Sequence, residues 1–483
     1  MMKKYCIFFF ASLIVKAGFA QGYQVTLKAP AFKTGIAYLT YYMGSNLNVA
    51  DSAAINNGGT AVFTGPTKLP PGIYVMVLPG KKLRSEFLID KEQVISVTMA
   101  DTADLLNKTV ITGSKENIPY MDYQKFVSVK GKLLQDERTA YSNSVTKADS
   151  LLHEKNYNAY NAQLNAYREN IIKTKPSSML AVLLNAMKEP VLPPGMRSVT
   201  HQDSVNNYYY YKNHYWDGIS FMDARVIRTP FFLKKLERYY RETLPQAADT
   251  IIKDVDYKLL LARTSPEMYK FLLNWLTDEY MNPKYMGQDA VFVHLFEKYH
   301  STGVSSWLNE KQMETISRRA YMLMANLIGE KGADLDMVDS TGKPSTLYNL
   351  NADYTILCFW DPNCGHCKEE IPRIDSIYQA SWKKHGVKIY AVLTEDDKEN
   401  LKPSWVNYIK EHHLGEWTHV YQTKEMQAAE QAAQKAGFRQ LYDITMTPTL
   451  YLLDKDKHII GKKLTWEQLN DLLEVKWKGA SSN

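Results

Sequence analysis

The apolar run Tyr354-Thr355-Ile356-Leu357-Cys358-Phe359-Trp360 leads within a few residues into Cys364-Gly365-His366-Cys367, and from there into a stretch of helical periodicity. A buried strand that delivers two cysteines to the opening of a helix leaves few folds to choose from. A CxxC pair can be half a zinc site, a structural disulfide or a redox couple. A four-ligand zinc site needs a second pair, and the nearest other cysteine is Cys358, on the strand itself. His366, inside the loop, could not easily share a metal with both flanking sulfurs. The context favours redox chemistry: at such a junction the first cysteine meets the unpaired N–H groups and positive end of the helix, which stabilise a thiolate. No metal and no other cofactor is expected.

The start of the chain bears on the same thiols. Lys3 and Lys4 precede the apolar stretch Tyr5 to Val15, and Gly18-Phe19-Ala20 forms a small-x-small cleavage site before Gln21. About eleven apolar residues closed by Lys16 are too few to span a bilayer, which takes ~20. Residues 1–20 read as a cleaved signal peptide, which makes the mature chain exported, periplasmic in a Gram-negative cell, where disulfides persist. Cys6 has no Leu-x-x before it and does not read as a lipid attachment site. Cleavage leaves Cys358, Cys364 and Cys367. Three clustered cysteines suit chemistry better than stapling.

At 483 residues the chain is too long for one ordinary domain, and roughly three are expected. Apolar residues at 45% and charged residues at 23% describe folded domains rather than disorder. The net charge of +6 is diffuse, with no long Lys/Arg run, so nucleic acid is not an expected partner. Residues 21–118 read as a small antiparallel β-sandwich or barrel-like domain: Tyr23–Leu27 and Val94–Thr98 alternate at period two, and Ile73 to Leu78 is a nearly continuous β-forming run. Residues 119–331 read as an α-helical domain. Ala148 to Lys173 carries apolar residues at helical spacing, and Ser265-Pro266-Glu267 opens another helix. The tyrosine-rich stretch Asn206 to Trp216 fits the edge of a helical core better than a sugar or peptide platform. Residues 332–483 alternate strands and helices, the mark of an α/β fold. They close on a hairpin around Asp454 to Lys457 and a helix opened by the capping box Thr465-x-x-Gln468.

Phe359-Trp360, Cys364-Gly365-His366-Cys367-Lys368, Pro372 and the distant Thr447-Pro448-Thr449 together resemble the thioredoxin superfamily. Cys367-Lys368-Glu369-Glu370-Ile371-Pro372 and the lead-in Asp336 to Leu350 are more closely similar to its TlpA/ResA-like branch of exported thiol–disulfide oxidoreductases. The resemblance covers about residues 333–478. The two upstream segments resemble, less sharply, β-rich and helical modules of Gram-negative envelope proteins. The resemblance implies roles. Cys364 would be the attacking thiolate and Cys367 the buried resolving thiol, the pair forming the redox disulfide. Pro448 would follow a cis peptide bond that orients Thr447 to pair with an extended substrate strand. Trp360 would shield one side of the site, and Pro372 would kink the helix.

His366 can donate a hydrogen bond from its imidazole to the Cys364 sulfur, lowering that thiol's pKa and making the disulfide more oxidising. The Gly-His dipeptide is that of protein disulfide isomerases, which implies a potential nearer ~−180 mV than ~−270 mV. An exposed loop histidine is the alternative. Cys358 takes the position of the buried carboxylate that in thioredoxins helps deprotonate the resolving thiol, and it reads as an inert core residue. Glu370 matches a glutamate of the ResA-like branch and is expected to take over proton handling; a solvated helix-face carboxylate is its rival.

The reaction expected is disulfide exchange with envelope proteins, with direction set by a partner that recharges the site. Relatives of the branch are mostly reductants, whereas Gly-His leans oxidative or isomerising. A homodimer would suit an isomerase. The competing reading is an envelope binding or assembly module whose redox site is secondary.

Overall fold

The computed structural model describes residues 22–196, 199–394 and 401–480. The expected signal peptide lies outside the described residues. Among them, no helix is long and apolar enough to cross a membrane. The chain divides into two compact units: one runs to Leu244 and takes in Leu261–Met268, and the other comprises Pro245–Leu260 and everything from Tyr269.

The first unit begins with eight strands: β1 (Tyr23–Lys28), β2 (Ile36–Met43), β3 (Asn46–Ala54), β4 (Thr60–Gly65), β5 (Gly72–Val77), β6 (Arg84–Ile89), β7 (Val94–Met99) and β8 (Thr109–Thr112), with the one-turn helix α1 (Leu105–Lys108) before the last. They form two four-stranded sheets, ordered β4-β1-β7-β8 and β3-β2-β5-β6. Val25, Leu27, Phe63 and Val97 of one sheet meet Leu39, Met76, Phe87 and Ile89 of the other in a shared core. The expectation of an antiparallel domain needs one correction, since β1 pairs with β7 in parallel. The helices α2 (Asn117–Ser142), α3 (Lys147–Thr174) and α4 (Met179–Ala186) follow. Tyr120, Tyr123, Ile171, Leu180 and Leu184 cover Ile73 and Leu88 on the outer face of the second sheet. This explains why β5 is buried at every position: covered on both faces, it reads as an unbroken apolar run rather than an alternating one. In α5 (His201–His214), Tyr208 donates to the Thr243 carbonyl at 2.9 Å, and the following Tyr215 donates to the Lys235 carbonyl of α6 (Phe232–Arg238) at 2.8 Å. Tyr215 and Tyr239 pack ring against ring at 5.0 Å.

The helical stretch does not stand as a third unit. Its first half shares a core with the sandwich, and most of α7 (Ala248–Ala262) and α8 (Pro266–Met281), with α9 (Asp289–Leu295) and α10 (Glu310–Met324), belongs to the second unit. The cause is visible in α2, whose buried residues are confined to its first turns, against the sheet.

The C-terminal fold comprises β9 (Val338–Asp339), β10 (Tyr354–Trp360), α11 (Gly365–Ala380), β11 (Val387–Leu393), α12 (Leu401–Glu411), β12 (Thr418–Tyr421), α13 (Lys424–Ala432), α14 (Phe438–Leu441), β13 (Thr449–Leu453), β14 (Ile459–Lys462) and α15 (Trp466–Ala480). The six-stranded sheet has the order β14-β13-β10-β11-β12-β9. β10, β11 and β12 run parallel, while β13, β14 and β9 pair antiparallel. Alternation along β10 sends Ile356, Cys358 and Trp360 into the core on one face, and Leu357 and Phe359 into the core on the other. The capping box of α15 forms as expected, with Gln468 Oε1 accepting from the Thr465 N–H at 3.0 Å and Thr465 Oγ1 from the Gln468 N–H at 3.3 Å.

Candidate active site

β10 ends at the buried Trp360, and the chain turns through Asp361, Pro362 and Asn363 before α11. Asp361 organises the turn: its carboxylate accepts from the Asn363 N–H at 2.7 Å, and its carbonyl accepts from the Cys364 N–H at 3.1 Å. Cys364 is thereby set at the N-cap of α11 in an extended conformation, φ −73° and ψ 127°. That position sets the residue at the helix start, where the first-turn N–H groups have no intrahelical partner.

The two thiols are free and differ in kind. Cys364 is half-buried and Cys367 fully buried. Burial by itself raises the Cys364 pKa. Hydrogen bonding from the Thr447 side chain, the Cys367 backbone and thiol, and the His366 backbone N–H outweighs it, so the thiol is held below its ordinary value. Cys367 is pushed up to about 12, first by burial and then by the Cys364 sulfur beside it. Its sulfur accepts from the Asp361 N–H at 3.5 Å. Cys358, completely enclosed two strand positions before Trp360, is also driven up by burial and by Cys367. It cannot accept a proton near neutrality.

The Thr447–Pro448 bond is cis. The Cys364 thiol donates to the Thr447 carbonyl at 3.4 Å, across 83 residues of sequence. The site thus unites Cys364, Cys367, Thr447 and Pro448. Three other expected members stand differently. The His366 side chain is exposed, and the part of His366 that helps lower the Cys364 pKa is its backbone. The Glu370 carboxylate meets the Arg373 guanidinium one turn along α11 at 3.3 Å. Trp360 is fully enclosed, so it forms the floor behind the thiols and cannot present a face to a substrate. Its ring packs 5.4 Å from Tyr408 and 6.1 Å from His419.

Sequence reasoning did not single out Asp361, Tyr408 or His419. Asp361 could have been found from its place ahead of a helix start, where a short acid caps a turn. His419 donates from Nε2 to the Leu414 carbonyl at 2.9 Å and is pushed down to about 4 by burial, which fixes it neutral. Among the described residues, its Nδ1 and the Tyr408 hydroxyl are enclosed without a hydrogen-bond partner. Beside Tyr408, a cavity of about 460 Å³ is lined by Pro362, Asn363, Lys368, Glu411 and His412, and opens on the flank of the CxxC turn.

Residues 328–462 match the family described as the AhpC/TSA family, and residues 23–120 match a domain of unknown function, DUF4369. The chain is similar to a thiol-disulfide oxidoreductase ResA of Bacillus cereus, 26% identical over 147 residues, covering 30% of this chain and 75% of that protein. Among solved structures it is similar to a domain of possible thiol-disulfide isomerase from Cytophaga hutchinsonii, 35% identical, covering 32% of this chain and 97% of that one with a TM-score of 0.27. A thioredoxin-like protein from Bacteroides caccae is 22% identical, covering 60% of this chain and 98% of that one with a TM-score of 0.43.

Proposed function

We infer that this chain, a thiol–disulfide oxidoreductase whose C-terminal domain belongs to the thioredoxin-like AhpC/TSA family, exchanges disulfides with proteins of the cell envelope through Cys364 and Cys367. The observation that carries the reading is the unequal pair: an accessible, acidified thiol at a helix start and a buried, proton-retaining thiol one turn on, both beside the cis Thr447–Pro448 bond.

In the reducing direction the Cys364 thiolate attacks one sulfur of a substrate disulfide. The substrate S–S bond breaks, a substrate thiolate leaves and takes a proton from solvent, and a mixed disulfide forms at Cys364. Cys367 then gives its proton to solvent and attacks the Cys364 sulfur. The second substrate thiolate leaves, and the Cys364–Cys367 disulfide remains, two electrons having passed to the substrate. Attack at Cys364 is favoured because its thiolate is stabilised before substrate arrives, while Cys367 stays protonated until the mixed disulfide brings a target sulfur next to it. Thr447 offers its backbone to an extended substrate strand. An envelope location is supported by the leader-like residues 1–20, and a second envelope protein would recharge the couple. The test is dithiothreitol-driven insulin reduction. Wild type should accelerate it and Cys364→Ser should not; equal rates would refute the assignment.

A further inference from the structure

Asp443 follows α14 at φ 45°, in the loop that leads to Thr447 and Pro448. Its side chain is 1% exposed and lies between two cations. The Arg319 guanidinium of α10 donates to Oδ1 at 2.8 Å, and the Lys463 ammonium, just past β14, donates to Oδ2 at 2.5 Å. The same stretch is tied again by Asn326, just beyond α10, whose Nδ2 donates to the Leu441 carbonyl at 2.9 Å. Asn326 in turn accepts from the buried Lys462 ammonium at its carbonyl and its Oδ1, at 2.9 and 2.8 Å, and Lys462 is also paired with Asp289 of α9. Arg319 is itself braced, donating from Nε to the Met281 carbonyl at the end of α8 at 3.1 Å. Asp289, Arg319 and Asn326 all precede residue 328, where the match to the AhpC/TSA family begins.

We propose that Arg319, acting through Asp443, is a positioning residue of the redox site: helix α10 holds the loop that sets Thr447 and Pro448 against Cys364. The inference rests on the thiol–disulfide reading above. A carboxylate held at both oxygens inside the protein leaves its loop one arrangement. Removing the guanidinium leaves a buried charge half-compensated, and the loop from Ile444 to Pro448 relaxes to bring it water. Thr447 then drifts from the sulfur, whose thiolate its side chain helps to stabilise, and from the line on which a substrate strand would pair.

Two readings in the full-length chain test this. Arg319→Met should raise the midpoint of Cys364 thiolate formation, followed by ultraviolet absorbance of the reduced protein, by about half a pH unit or more. It should also raise KM for a disulfide-containing peptide several-fold while changing kcat less. Arg319→Lys keeps a cation and should restore most of both. Asp443→Asn tolerates the left-handed backbone and removes the charge, so it should act like Arg319→Met; if Arg319→Met does not fold, Asp443→Asn decides alone. A contact that is only structural would lower the unfolding midpoint and leave the thiolate midpoint at the wild-type value, and that result overturns the proposal. Failure of wild type to reduce insulin would instead overturn the proposed function; the thiolate titration needs no turnover and judges the clamp separately.

Discussion

The Cys364 thiol lies 3.4 Å from the carbonyl oxygen of Thr447, the residue on the N-terminal side of the cis bond to Pro448. This one contact joins the helix start to the loop before β13, and it places the reactive sulfur beside the backbone that a substrate strand would use. The opposed pKa directions of Cys364 and Cys367 belong to the same geometry: the outer thiol has hydrogen-bond donors and the inner one has mostly apolar walls.

Alkylation should separate the two thiols. In the reduced protein, iodoacetamide should modify Cys364 with a half-maximal rate below the pH of about 8.5 expected of a free thiol. Cys367 should stay unmodified through the same range. Peptide mapping that finds both labelled at equal rates would contradict the asymmetry.

Removing the resolving thiol should leave substrates attached. Cys367→Ala, expressed as the full chain in a cell, should accumulate mixed disulfides at Cys364 that dithiothreitol releases, because the second displacement has lost its nucleophile. Absence of any covalent adduct on non-reducing gels would favour an assembly role with secondary redox chemistry.

Glu370→Gln should leave the pH profile of exchange in place, with rates within about twofold of wild type. Its carboxylate is engaged by Arg373 in an exposed i,i+3 pair of the kind worth little energy. A displaced profile would return Glu370 to the proton-handling role that its match to the ResA-like branch implies.

Two buried histidines should make the protein acid-sensitive. His300 accepts at Nδ1 from Ser305 at 2.7 Å and donates from Nε2 to Thr277 at 2.8 Å; burial pushes both it and His419 down to about 4. Their folded pKa values lie below the unfolded one, so the unfolded state binds more protons as pH falls. Their contribution is complete above about pH 6.5 and is lost on descending towards pH 4, about 2 kcal/mol for each at pH 5. Chemical denaturation at pH 7 and pH 5 should show this loss, and His419→Leu should roughly halve the difference between the two. A stability unchanged from pH 7 to pH 5 would refute it.

Much of the redox domain is legible in the sequence because its signals are local. The β-forming run Tyr354–Trp360, the cysteines at the following helix start and the Thr465/Gln468 capping box each depend on neighbours a few residues away. The cis bond before Pro448 comes from family likeness, since nothing in the local sequence brings Thr447 to Cys364. What local pattern cannot reveal is partnership. The helical spacing over Ala148 to Lys173 marks a buried face without saying that Ile171 shares a core with Ile73 and Leu88, so the helices read as a domain of their own. The parallel pairing of Gln24 with Val94 joins strands that the hairpins between them would suggest lie apart. Side-chain direction escapes too: His366 reads as a donor through its imidazole, whereas that side chain is exposed and it is the backbone of His366 that helps lower the Cys364 pKa. Arg319 and Asp443, 124 residues apart, carry no sequence signal at all.

The most direct measurement is the redox equilibrium of the Cys364–Cys367 pair against glutathione buffers, followed by quenching and mass of the alkylated chain. One reversible two-electron transition is expected, with a midpoint above ~−270 mV and towards ~−180 mV, as a stabilised Cys364 thiolate requires. A pair that stays oxidised to below ~−300 mV would be a structural disulfide, and a pair that never closes would be no couple at all; either result contradicts it.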